Sequence, residues 1–515
     1  VSAVALEDRP RRPVTGAEAL DGAKSLLAVA GLTLLAAALR FVRIAHQGFW
    51  FDEANTALLV RLSPGKMLGL LPQTESTPPL YYCVAWVWAR IFGFGEAGLR
   101  SLSAVCGVLT VPVAYAAVAK LISRRVGLIA AALVVTSPIL IWYSQEARSY
   151  EMVVFLAACT LLTFVYALAT PTPRWLAAWA VACALALATH YFAVLAVVPE
   201  AAWLLVVHRR RRSVQVAVGL IVLAGLALIP LAITQRGTGN ATWIAHTHLS
   251  IRLSQIVPQF LLGFGAPGHH WTRLGAAVIV LGAFALVWWR GGVRERRGAI
   301  IAGGLAVAGF AVMVLLVAAG QDDLITRNIL VLWLPLAIVV AAGLGSRPAG
   351  LLGSVGVLAL CVAGIACAVD VDVNRGLERP DWRPVARALG AAPAHFGRAI
   401  LIQHYRTLLP LSLYQPGLKF MPRRGAVVDE LDVITIRAPQ QNACWWGAAC
   451  NLIPTQPQSS YPIPGFHIVS RQRVLQFTVL RLRANRPVHL TRRAVSHTLV
   501  NTLLRRDGFI FQRPR

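Results

Sequence analysis

Apolar runs of about twenty residues follow one another through most of this chain, and the loops between them carry arginine on alternate sides. A run of that length crosses a bilayer as a helix, because about 20 residues rising ~1.5 Å each match the ~30 Å hydrocarbon thickness. Cytoplasmic loops keep the Lys and Arg excess. The basic loops are Arg9–Arg12, Ser123–Arg125, Pro171–Arg174, His208–Arg212, Arg290–Arg297 and Ser346–Pro348. Holding all of them inside predicts spans near 25–44, 97–122, 126–143, 149–169, a hairpin in 175–207, 213–234, 273–289, 299–319, 329–345 and 349–369. The fold class is thus a polytopic α-helical membrane protein with about 11 transmembrane helices, the amino terminus in and the tail out.

The apolar stretch 78–93 is too short to be a span, and if it crossed it would put Ser123-Arg124-Arg125 on the wrong side. Its Tyr81, Tyr82, Trp86 and Trp88 suit headgroup depth, so it is expected to lie as an amphipathic helix at the outer interface.

Composition agrees: 57% hydrophobic, 14% charged and a mean hydropathy of +0.62 exclude an ordinary soluble globule. The net charge of +27 is uneven, since residues 370–515 hold 21 Lys and Arg against 8 Asp and Glu. Membrane lipids and anionic envelope glycans are the expected partners of such a surface, and nucleic acid is not. Six of eight cysteines lie in apolar runs as packing residues, whereas Cys444 and Cys450 sit in the tail, close enough to bridge in an oxidising compartment.

The expected domains are a cytoplasmic amino terminus (1–24), a transmembrane catalytic domain (25–369) whose outer loop holds juxtamembrane helices (45–96), and a small extracytoplasmic α/β domain (370–515). Within the last, 379–390 has an amphipathic helical pattern, and 399–403, 427–437 and 474–483 read as strands. The first apolar run lacks a small-residue cleavage site and is read as a retained anchor.

This topology puts Asp52, Glu53, Glu146, Arg148, His190, Asp322, Asp323 and Arg327 at one outer face, which the arginine rule did not require. Acids and bases gathered on one side of a bundle suit a membrane-embedded active site. The acidic pair stands in FWFDEANTA (49–57), between two aromatic residues and the interfacial stretch. Arg40 and Arg43 fall at the outer end of the first span, where they either snorkel to headgroups or touch a phosphate. Arg327 and Arg148 are cations of that same face. The competing accounts are an ion pair of Arg327 with Asp322 or Asp323, a local pair of Glu146 with Arg148, and a satisfied core histidine at 190. His246, His248, His269 and His270, beside Trp243 and Trp271, are candidates for a divalent cation, with no spacing that fixes one; the aromatics equally suit stacking on sugars.

Four landmarks in order carry a family resemblance: Asp52-Glu53, Thr77-Pro78-Pro79-Leu80-Tyr81-Tyr82, Ser144-Gln145-Glu146-Ala147-Arg148-Ser149-Tyr150 and Thr189-His190-Tyr191. Together they resemble the GT-C membrane glycosyltransferases, in the branch of protein O-mannosyltransferases, lipid A aminoarabinose transferases and rhizobial galacturonosyltransferases. The match is good over 25–210, rests on hydropathy in the later spans, and reaches the tail through Asp381-Trp382-Arg383.

The resemblance implies inverting transfer of one sugar from a polyprenyl-phosphate carrier to an acceptor hydroxyl on a glycan, lipid or protein of the envelope, outside a bacterial inner membrane. It implies that Asp52 is the general base, with Glu53 orienting the acceptor or supporting a metal. Arg327, Arg148 and Arg43 would contact the donor phosphate, and Glu146 and His190 the acceptor or a metal. No cofactor is fixed beyond a candidate divalent cation. Thr77-Pro78 departs from the aminoarabinose transferases, which carry a basic residue there. The rival readings are a flippase for lipid-linked saccharides and a ligase or polymerase using pyrophosphate-linked oligosaccharides.

Overall fold

The computed structural model describes residues 16–264, 270–374, 377–402, 408–436, 463–499 and 509–514. Cys444 and Cys450 lie outside the described residues, as does His269. In chain order the helices are α1 (Gly16–Phe41), α2 (Phe51–Leu59), α3 (Pro64–Thr74), α4 (Leu80–Phe92), α5 (Glu96–Leu121), α6 (Arg124–Thr136), α7 (Pro138–Ser144), α8 (Tyr150–Ala169), α9 (Pro173–Thr189) and α10 (Val194–Val207). They continue as α11 (Arg212–Gly237), α12 (Leu249–Leu262), α13 (His270–Trp289), α14 (Val293–Ala318), α15 (Trp333–Leu344), α16 (Gly350–Val373), α17 (Trp382–Leu389), α18 (Leu408–Tyr414) and α19 (Arg492–Leu499).

The chain forms two compact units. One comprises residues 1–44 and 60–371, the other 45–59 and 372–515. The segment carrying Asp52 and Glu53 therefore packs with the carboxy-terminal residues.

The first unit is a multi-pass membrane bundle. Among the described residues, eight helices are long and apolar enough to span, and α6 with α7 makes a ninth as one path bent by 58°. The hairpin expected in 175–207 consists of two 17-residue pieces, 173–189 and 191–207, each about 25 Å long and thus shorter than a ~30 Å core. The expected eleven is therefore not matched helix for helix. The path through 326–344 is buried nearly all round, while α1, α11, α13 and α16 expose most of their apolar surface, as lipid-facing helices do. Residues 78–93 do form a short helix, α4, burying Tyr81, Tyr82, Ala85 and Ala89 on one face and exposing Val87, Ile91 and Phe92 on the other.

The bend between α6 and α7 has a local cause. Pro138 has no N–H, so the Val134 carbonyl loses its helical partner. Arg40 supplies the replacement, donating to the Val134 oxygen at 3.0 Å, the Val135 oxygen at 3.2 Å and Ser144 Oγ at 3.1 Å. Arg40 is fully buried and does not snorkel. Glu151 lies alongside it, and a Cβ on Gly107 would collide with Ser144, Arg40 and Glu151 together.

In the second unit, β1 (Gly397–Ile402), β2 (Leu418–Phe420), β3 (Ala426–Ile436), β4 (Phe466–Val474), β5 (Phe477–Leu490) and β6 (Phe509–Gln512) form one sheet in the order β2-β6-β1-β3-β5-β4. The β1–β3 pair is parallel and the others are antiparallel. Apolar cores form on both faces, one with Trp382, Val385 and Leu389 of α17 and Leu411 of α18, the other with Val495 of α19. β1 is buried at every position, as a central strand covered on both faces should be.

Candidate active site

The candidate residues fall into two groups, one in each unit. In the membrane bundle, α3 ends at Glu75, and the Pro78-Pro79 step resets the chain before α4. Glu75 is buried, and its Oε1 accepts from Arg148 Nη1 at 2.9 Å. Thr77 Oγ1 lies 3.2 Å from the Tyr82 hydroxyl, and Tyr82 is fully buried. Burial first, and the Glu75 carboxylate also, hold this phenol well above its ordinary range. Gln235 at the end of α11 donates to the carbonyls of Leu71 (3.3 Å) and Thr77 (3.0 Å) and accepts from the Tyr191 hydroxyl at 2.7 Å. The α3–α4 turn is thus tied to the ends of two further helices.

Arg148 follows the bent span, buried just before α8 begins. His190 caps the end of α9, its Nδ1 accepting the Phe192 N–H at 3.2 Å. The proton of the neutral imidazole is therefore on Nε2. Burial, and then the positive charges of Arg148 and Arg327, lower the His190 pKa to about 3. Its ring lies 5.5 Å from that of Tyr150. The Arg327 guanidinium stands 5.6 Å from the Tyr150 ring and 5.3 Å from the Trp243 ring, within cation–π range. Glu75, Arg148, His190, Tyr150, Arg327 and Trp243 thus form one continuous cluster at helix ends, with two cations, one acid, one neutral imidazole and aromatic faces. Such a cluster suits an anion beside a sugar.

Two ion pairs join residues far apart in the chain. Arg148 pairs through its side chain with Glu75, while its backbone N–H donates to the Glu146 carbonyl at 2.8 Å. Asp322 is held by both terminal nitrogens of Arg252 at 2.7 Å, which lowers its carboxyl pKa, and Arg327 turns to the aromatic rings. Arg43 is exposed in a left-handed conformation (φ 59°) just past α1. Glu146 is buried. Among the described residues no three His, Cys, Asp or Glu side chains converge closely enough to hold a metal ion, and His246 Nδ1 meets the Thr242 carbonyl at 2.6 Å.

In the second unit, Asp52 and Glu53 occupy the first turn of α2, where the exposed backbone N–H groups favour negative charge. Glu53 is fully buried, its Oε2 accepting the Trp50 N–H at 3.4 Å, while Asp52 stays partly accessible. The segment before α2 is clamped. Arg383 Nη1 donates to the Ala45 carbonyl at 3.2 Å and Nη2 to the His46 carbonyl. Asp381 caps α17, accepts from the Arg383 backbone N–H (3.0 Å) and Nε (3.2 Å), and lies against Gly48 so tightly that no Cβ fits there. The Gln47 side chain accepts from the Arg379 N–H at 3.2 Å, and the Phe49 N–H donates to the Tyr414 hydroxyl at 2.7 Å. The Asp381-Trp382-Arg383 motif is therefore what holds the acidic segment.

A family model described as dolichyl-phosphate-mannose-protein mannosyltransferase matches residues 76–234, which run from the α3–α4 turn to the end of α11. ArnT from Cupriavidus metallidurans bound to undecaprenyl phosphate superposes with a TM-score of 0.54 at 14% identity, over 88% of this chain and 97% of that one. The chain shares the fold of ArnT. The apo form of ArnT gives the same TM-score at 15% identity. A weaker likeness, with a TM-score of 0.42 at 12% identity over 75% of this chain and 61% of the other, is to the Archaeoglobus fulgidus oligosaccharyltransferase complexed with Zn and sulfate. No curated protein matches in sequence. The region that the family model matches contains Thr77, Tyr82, Glu146, Arg148 and His190, whereas Asp52, Glu53 and Arg327 lie outside it. Sequence reasoning missed Glu75 and Arg252, each a lone charge in a loop or helix with its partner about seventy residues away.

Proposed function

We propose that this protein is an inverting glycosyltransferase that moves one hexose or pentose from a polyprenyl-phosphate carrier to an acceptor hydroxyl on the extracytoplasmic face of a bacterial inner membrane. One observation carries the reading: Arg148 and Arg327 flank the neutral His190 and the Tyr150 ring at one end of the membrane bundle. Two guanidiniums, Arg148 buried and Arg327 half-buried, stabilise the charge that grows on a departing lipid phosphate. The His190 Nε2–H adds a neutral donor, and Trp243 and Tyr150 offer faces for a sugar ring. The undecaprenyl phosphate of the ArnT complex supports a carrier of this class.

In the reaction, Asp52 takes the proton of the acceptor hydroxyl as that oxygen bonds to the anomeric carbon from the side opposite the phosphate. The bond from that carbon to the phosphate oxygen breaks with its electrons, and the lipid phosphate leaves as an anion. Because this leaving group is already a phosphate, no strong general acid is required. The role of Asp52 rests on its family resemblance and on its accessible place in the first turn of α2; Glu53, buried and bonded to the backbone, fixes that turn. The purified protein and its Asp52→Asn and Arg148→Ala forms, incubated with radiolabelled polyprenyl-phosphate monosaccharides and extracted envelope acceptors, test the proposal. Equal transfer by wild type and Asp52→Asn removes Asp52 as base, and no transfer from any such donor by the wild type overturns the function.

A further inference from the structure

The second unit carries an arginine-rich corner that the proposed reaction does not use. Residues 437–515 contain twelve arginines, no lysine and one acid, Asp507. Strand register gathers part of this charge. Ala426 at the start of β3 lies opposite Leu490 at the end of β5, and Val427 lies opposite His489. The turn Arg423-Arg424-Gly425, closed by the Gly425 N–H on the Pro422 carbonyl at 2.9 Å, therefore stands beside Thr491-Arg492-Arg493. Arg423, Arg424, Arg486, His489, Arg492 and Arg493 are exposed, with Val427 exposed among them.

The acids along β3 do not answer this charge. Glu430 and Asp432 are buried and bound to Arg398 and Arg481 at 2.6 to 3.4 Å, and Asp429 sits half-buried at the strand's irregularity. Like charges gathered on a surface repel one another and raise the local potential for an anion. The choice of arginine throughout is informative, because its planar fork matches phosphate oxygens two at a time where lysine offers a point charge. The unit is joined to the membrane bundle at three places, after residues 44, 59 and 371, so it stays tethered to a bilayer. Headgroup phosphates are then constantly at high local concentration. We infer that this corner binds the phosphate headgroups of anionic lipids, with Val427 resting among them.

The test uses the full-length protein in nanodiscs of phosphatidylcholine alone or mixed with phosphatidylglycerol, with amide exchange read over 423–428 and 486–493. Exchange there is expected to slow at least about fivefold in the anionic discs, and high salt should remove the effect. Arg423→Glu with Arg424→Glu should abolish it while exchange in β1 stays unchanged. Arg492→Gln with Arg493→Gln gives the same reading should the first pair disturb the turn. Equal exchange in the two discs, or full slowing retained in both variants, overturns the inference. Slowing in neutral discs by inorganic phosphate alone would assign a free-anion site instead. Slowing that requires an added polyuronate would assign a soluble polyanion.

Discussion

Arg148 donates to the Glu75 carboxylate at 2.9 Å, and both side chains are withdrawn from water. Seventy-three residues separate them in the chain. Removing one partner of a buried pair strands the other charge, at a cost of about 3–5 kcal/mol. Glu75→Ala is therefore expected to lower the thermal midpoint well below that of wild type, and Glu75→Gln with Arg148→Met to recover part of the loss. Donor titrations separate the functional role: Arg148→Ala should reduce kcat/KM by about 10²–10³ if its charge meets the departing phosphate. An unchanged kcat/KM for donor would confine Arg148 to a structural role.

His190 makes a pH prediction with a definite sign. Its folded pKa is lowered from 6.5 to about 3, so between those values the unfolded chain binds a proton that the folded protein refuses. Stability from this group is complete above pH 6.5 and falls as the pH drops through that window, by about 1.4 kcal/mol per unit well inside it. Midpoints measured against pH for wild type and His190→Gln should converge toward pH 3. Parallel curves would mean that His190 is charged in the fold.

Gly48 and Arg383 carry the prediction about the acidic segment. Gly48→Ala drives a methyl group into Asp381, and Arg383→Ala frees the carbonyls of Ala45 and His46. Each should lower kcat by about 10²-fold through misplacement of α2, with KM for donor little changed and exchange in β1 and β3 intact. Arg383→Lys should not rescue, because one ammonium cannot span two carbonyls and Asp381 in the same plane. Full activity in Gly48→Ala would separate this clamp from catalysis.

Arg40 is predicted to be structural. Arg40→Met leaves the Val134 and Val135 carbonyls unmet at the α6–α7 bend and Glu151 without its cation, for about 3–5 kcal/mol. Gly107→Ala should act similarly by pushing the guanidinium aside. Expression and thermal midpoint in detergent check both, and the double change Arg40→Met with Glu151→Leu should be milder than Arg40→Met alone.

The sequence by itself determined the class of molecule, because the transfer energy of an apolar run is a local property that sums residue by residue. The long spans, the short helix α4 and the mixed α/β character of the tail are of this kind. Also legible were Arg148, His190 and Arg327 as members of one group, since topology alone sends their loops to one side. Only the tertiary structure decided the partners. Arg148 reaches Glu75 across seventy-three residues, Asp322 is held by Arg252, and Arg40 turns inward to a bend made by a proline nearly a hundred residues away. It also decided that the segment with Asp52 and Glu53 packs with the carboxy-terminal unit, through Phe49 and Tyr414, 365 residues apart. Such choices turn on which of several competing charges and carbonyls can be reached once water is excluded, and that depends on the packed bundle and sheet rather than on spacing along the chain.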